Sequence, residues 1–192
     1  MRRLLSIFTI SILNVVYAIA QDNNIEVLNS AYSRKDWPTF ANNFPYTFTE
    51  FLTVYGYDEQ SGPMPLYFEG FNHIQFLFSN DRILDNHYLE KLLKLTEGYQ
   101  WEADGANYLS MQIESLISNY PYEISEFMND KPNPQVKDFL KCAIATPYPE
   151  PENTNYYKEY LALVNLYEVH SPKIARLLET AHKELMDEWV EK

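Results

Sequence analysis

The sequence predicts an all-α fold, either an irregular multi-helix bundle or a short array of helical hairpins, with about eight helices. Three observations point there. No stretch alternates cleanly between apolar and polar residues, as a half-buried strand must. Glycine is scarce, 5 in 192 residues, whereas hairpin-rich chains use it in their turns. Apolar side chains instead recur at helical spacing, most clearly Leu109, Ile113, Leu116, Ile117 and Tyr120 behind Asp104-Gly105, one stripe of a 3.6-residue helix.

The elements follow in order. Residues 25–34 form a first helix with Ile25, Val27, Leu28 and Tyr32 on its apolar face. Asp36-Trp37-Pro38 opens the next turn, with proline in a tolerated first position. Thr47-Phe48-Thr49-Glu50 is a capping box, flanked by Tyr46 and Phe51 at the positions of a hydrophobic staple. With Gly56 where a helix end favours a left-handed residue, this marks a helix over 48–55. Gly62, Pro63 and Pro65 make 57–65 a loop. An aromatic helix follows over 66–78, ended by Asn80 and Asp81.

From residue 85 the pattern is cleaner. Leu89, Leu92, Leu93 and Leu95 belong to a helix ending at Gly98, and the Leu109 stripe runs up to Pro121. Pro121 starts a shorter helix through Met128. Asn133-Pro134 reads as a cap and a first-turn proline, ahead of Val136, Phe139, Leu140, Ala143 and Ile144. Pro147, Pro149 and Pro151 form a stiff linker, followed by helices over about 155–168 and 172–190, the last capped by Ser171. Short connections predict antiparallel neighbours, so 85–119, 121–146 and 154–190 would each be a hairpin. They share no sequence pattern, and no repeat is assigned.

The N-terminus predicts an exported protein. Arg2-Arg3 precedes an apolar run from Leu4 to Ala20, which closes on Ala18-Ile19-Ala20 before the polar Gln21-Asp22-Asn23-Asn24. Positive start, apolar core and small-residue exit are the secretory pattern, with cleavage between Ala20 and Gln21. The run is short for a spanning helix, which needs about 20 residues, and no lipid-site cysteine follows it. The expected organisation is therefore a signal peptide, 1–20, and a single all-helical domain, 21–192, periplasmic or extracellular and without a stable membrane anchor after cleavage.

Cys142 is the only cysteine, so no internal disulfide can form and packing alone must hold the domain. Its apolar helical context reads as a small buried hydrophobe. The net charge is −12, and loss of Arg2 and Arg3 makes it −14. Phosphate backbones and anionic lipid would repel such a chain, which argues against nucleic acid as a partner. A basic protein would be attracted to it.

Signatures of catalysis are missing. There is no G-x-S-x-G elbow, no glycine-rich phosphate loop and no H-E-x-x-H. Glu179 and His182 share a helical face, but a di-iron site needs that spacing twice, so they read as a surface ion pair. His73 reads as a core or boundary histidine and His87 as exposed. No metal site, catalytic residue or cofactor is assigned.

Two places stand out for partner binding. Trp101, Glu102 and Asp104 lie on the turn between two well-marked helices, where an aromatic anchor beside acids would suit a hot spot. Read structurally, Asp104 caps a helix and Trp101 covers the core. Tyr156, Tyr157 and Tyr160 line one face beside the proline linker; exposed, they would form a recognition surface.

These readings predict a non-enzymatic binding protein, inhibitor-like, immunity-like or a scaffold. The alternative is a helical hydrolase with acidic residues in a cleft. It requires two carboxylates, or a histidine and a carboxylate, converging in a pocket with perturbed titration.

Overall fold

The computed structural model describes residues 24–101, 104–145 and 155–190. The expected signal peptide and Ala20–Gln21 cleavage site, Glu102 and the expected proline linker at 147–151 lie outside the described residues. Among the described residues there are ten α-helices rather than about eight, with one 3-10 turn and one hairpin of two-residue strands. The all-α class is as the periodicity predicts. The chain falls into two compact units, the first ending at Phe44 and the second running from Pro45.

In the first unit, α1 (24–33) and α2 (Trp37–Asn43) are joined by a tight reversal. Lys35 takes the left-handed conformation, φ +57°, in a Schellman closure: Asp36 N–H donates to Ala31 O and Lys35 N–H to Tyr32 O. The Lys35 ammonium lies 4.4 Å from the Tyr32 ring centre, a contact that favours this unusual backbone for a lysine. Asp36 caps α2, its carboxylate accepting Thr39 N–H at 3.2 Å, so Pro38 is the second helical residue and not the first as expected.

The second unit opens with α3 (Phe48–Tyr55), which carries the predicted capping box in full. Thr47 Oγ1 accepts Glu50 N–H, and the Glu50 carboxylate accepts the backbone N–H of Thr47 and Tyr46. Gly56 ends this helix for a different reason from the one expected. Its backbone is extended, not left-handed, but a Cβ there would sit 2.5 Å from Leu52 O, so only glycine lets the chain leave at that angle. The expected loop contains β1 (Tyr57–Asp58) and β2 (Gly62–Pro63), closed by Gly62 at φ +86°.

The aromatic helix starts later than predicted. Residues 66–69 make turns, and α4 spans only Gly70–Leu77. A 3-10 turn (Asp81–Leu84) leads to α5 (Asn86–Leu95). Then come α6 (Asp104–Asn119), α7 (Pro121–Met128) and α8 (Asn133–Ala143). Asn133 is the first residue of α8 and Pro132 its cap, one position off the expectation. The last two helices are α9 (Asn155–His170) and α10 (Pro172–Val190). Ser171 caps α10 through its hydroxyl, which accepts Ile174 N–H at 3.4 Å.

The hairpin pairing is corrected by the structure. Of the three expected hairpins only α9–α10 is a closely packed pair; α8 instead packs against α5, α6 and α10, α4 against α6, and α7 against α9. Central burial of α8 explains this. Val136, Phe139, Leu140, Cys142 and Ala143 are all buried, a set too large for one neighbour to cover. Lys137 reaches Glu184 at 2.7 Å and Lys141 reaches Glu188, fixing α8 along α10. Cys142 is fully buried, and burial pushes its thiol pKa up.

Gly105 sets the entry of α6. A Cβ on it would meet Tyr55 O at 2.9 Å, with Tyr55 Cβ and Phe51 Cζ just beyond. The obstructing carbonyl closes α3 and cannot rotate away. Gly105→Ala should therefore destabilise the protein by about 1–3 kcal/mol through overpacking, despite alanine's better helix propensity. Urea denaturation of the variant checks this; an unchanged midpoint would show that α6 can shift freely.

Candidate functional site

The ends of α8, α6 and α9 meet around an open cleft of about 250 Å³. Its walls come from Asn107, Ser110, Met111 and Glu114 of α6 and from Tyr156, Glu159, Tyr160 and Leu163 of α9; Ala143–Ala145 supply the floor. A helix end leaves its last carbonyls without intrahelical donors. Here two of the wall residues provide them: Tyr156 donates its hydroxyl to Ile144 O at 2.7 Å, and Ser110 donates to Ala145 O at 3.2 Å. The floor is thereby tied to both walls, which gives the cleft a defined shape.

Two carboxylates face this space. Glu114 is half-buried and Glu159 exposed. Burial, and then the negative charge of Glu159, hold the Glu114 carboxyl above the usual carboxylate range. The aromatic wall is deeper than the sequence suggested. Tyr157 packs on Tyr160 at 5.8 Å between ring centres, and the His182 imidazole stacks on Tyr160 at 4.0 Å, nearly parallel. Burial pushes the Tyr160 hydroxyl up to about 12 and lowers the His182 pKa. The expected ion pair between Glu179 and His182 is not present among the described residues. Sandwiching the ring against tyrosines favours its neutral form, which has no charge to offer Glu179.

The sequence-predicted residues thus fall into different roles. Tyr156, Tyr157 and Tyr160 do share a face, with Tyr156 and Tyr160 in the cleft wall and Tyr157 behind it. Trp101 is half-buried, and its indole N–H is enclosed with no hydrogen-bond partner among the described residues. Asp104 stands in the first turn of α6 and accepts the Tyr67 hydroxyl at 2.7 Å, which pushes that phenol up to about 12. Through this bond Asp104 joins an exposed aromatic face. Sequence reasoning missed Glu114 and Glu159, since among 27 acidic residues nothing local distinguishes a pair brought together by helix packing.

Among the described residues, no group of three or more His, Cys, Asp or Glu could hold a metal, and no helix is long and apolar enough to cross a membrane. No family model matches the chain, and no curated protein or solved structure is similar to it.

Proposed function

We propose that this is an exported, soluble, acidic helical protein that works by binding a basic partner protein, taking a lysine or arginine side chain of that partner into the α6–α9 cleft. The observation that carries the reading is the meeting of Glu114 and Glu159 with the rings of Tyr156 and Tyr160 around one open space. Two carboxylates held near one another repel, and a cation between them relieves that repulsion. The Tyr156 and Tyr160 rings line the same space and can cover the methylene stem of a lysine or arginine. The net charge of −12 would steer a basic partner in from a distance.

A peptide alternating arginine with serine is a suitable probe. Replacing both carboxylates, E114Q with E159Q, should weaken its binding about tenfold or more, which is about 1.4 kcal/mol. Raising salt should weaken binding to the wild-type protein. Binding should also strengthen as pH rises through the elevated Glu114 titration, because only the ionised carboxylate attracts the cation. Titration calorimetry at low and high salt and at pH 5 and 7 reads all three effects; binding indifferent to the double substitution would refute the reading.

The elevated Glu114 titration, beside Glu159 in the same cleft, also favours a second reading, a hydrolase in which Glu114 is the general acid and Glu159 the second carboxylate. Turnover of fluorogenic glycosides, abolished by E114Q, would replace binding with catalysis as the conclusion.

A further inference from the structure

Beside the cleft, the second unit exposes large rings that its core does not use. Phe68 is 80% exposed, Tyr57 53% and Phe71 45%. They are organised, not scattered. Tyr57 packs on Tyr67 at 5.8 Å between ring centres, Tyr67 on Phe68 at 5.3 Å, and Phe71 on Tyr108 at 5.2 Å. The Tyr67–Asp104 hydrogen bond ties the 66–69 turns to the start of α6. Further along α6, Met111 is 51% exposed and is itself a wall of the cleft. An exposed apolar face of this kind marks an interaction surface.

The charge pattern identifies the occupant. No lysine or arginine occurs between Lys35 and Arg82, nor between Lys94 and Lys131. Those stretches hold β1, β2, α4 and α6, hence the whole aromatic face and the α6 wall of the cleft. They carry Asp58, Glu59, Glu69, Asp104 and Glu114 and no lysine or arginine, and the one histidine there, His73, is fully buried. A second copy of this chain would bring like charges together, and anionic lipid would be repelled. A basic segment that also carries apolar side chains satisfies both the rings and the acids.

We propose that the α4–α6 aromatic face and the Glu114/Glu159 cleft form one docking surface for an extended segment of a basic protein, with its cation in the cleft and its large apolar side chains on the rings. This rests on the cleft reading above and adds the apolar half of the partner. Spacing follows from α6. Tyr108 and Glu114 are separated by about 9 Å of helix axis, and Asp104 and Glu114 by about 15 Å, at about 1.5 Å per residue. An extended chain advances about 3.3 Å per residue and alternates its sides. Two positions along such a chain reach about 7 Å and four about 13 Å, so these are the places on the cation's own side of the chain that come nearest to the two separations.

The test uses three nine-residue peptides and the full chain lacking residues 1–20. The first peptide has serine at alternate places, a central arginine, and phenylalanine at the second and fourth places on either side, so that it fits in either direction. In the second, glutamine replaces the arginine; in the third, serine replaces the phenylalanines. Binding is read from backbone amide shifts in NMR. The first peptide should bind at least about tenfold tighter than either control. Phe68→Ser, at a side chain too exposed to matter to folding, should weaken the first peptide about fivefold and leave the third unchanged. The double substitution E114Q with E159Q should weaken the first and third.

If the first and third peptides bind equally and Phe68→Ser changes nothing, the docking surface is refuted while the cleft reading stands. If the double substitution leaves the third peptide unchanged, the cleft reading fails instead. Concentration-dependent dimerisation abolished by Phe68→Ser would assign the face to a second copy. Binding to phosphatidylcholine vesicles abolished by the same change would assign it to lipid. Either result overturns the proposal.

Discussion

Tyr167→Ala should cost about 4 kcal/mol of stability, the largest effect expected of any single substitution considered. Tyr167 is fully buried in α9, and removal of a buried aromatic ring typically costs about 3–5 kcal/mol. The hydroxyl has a separate task. Ile117 lies near the end of α6, and the residue four positions later is Pro121, which has no N–H to donate to the Ile117 carbonyl. The Tyr167 hydroxyl donates to that oxygen at 2.9 Å, so α9 completes the end of α6. Tyr167→Phe isolates this contact and should cost about 1–2 kcal/mol by leaving a buried carbonyl without a donor. Chemical denaturation of both variants checks the two figures. A loss in the phenylalanine variant equal to that in alanine would mean the hydrogen bond matters more than the ring.

The second large effect is a loss of stability in mild acid centred on His73. This histidine is fully buried in α4, and its Nδ1 is 3.1 Å from the Tyr55 hydroxyl. Burial lowers its pKa from the ordinary 6.5 to about 4. The unfolded chain binds a proton at His73 below about 6.5, but the folded protein does not until about 4. The unfolded state therefore holds more protons in that window, and stability falls as pH falls through it. Two and a half pH units at about 1.36 kcal/mol each make the full contribution about 3 kcal/mol. In the protonated ring both nitrogens are donors, so the Tyr55 oxygen must then accept from Nδ1. Urea denaturation between pH 7.5 and 4 should show this slope in the wild-type protein and a shallower one in His73→Gln. Parallel slopes would show that carboxylates alone govern acid stability.

Much of the secondary structure was legible because it is locally encoded. The Thr47–Glu50 capping box, the Ser171 cap and the starts of α6 and α7 all lie where side-chain chemistry a few residues apart predicts them. Lys35 is the instructive exception. Its left-handed closure would be expected of glycine or asparagine, so the sequence hides the turn. The start of α4 is hidden in the same way, because the aromatic density of 66–78 resembles one apolar helix. The structure instead divides it, placing Phe68 on the surface and Ile74 in the core.

The site was legible only in part. The three tyrosines could be named because they fall on one helix face. Their partners could not, because Glu114 and Glu159 lie on different helices and meet only when α6 and α9 pack at the end of α8. The same limit applies to Asp104, whose partner Tyr67 is 37 positions away. By itself the sequence determined the all-α class, the positions of most helices and the acidic balance, since these depend on short-range periodicity, capping and composition. Only the tertiary structure decided which helices pair, which rings remain exposed and which carboxylates share a cleft. Those depend on how the large apolar set of α8 is covered, and burial of that kind has no signature within a single helix.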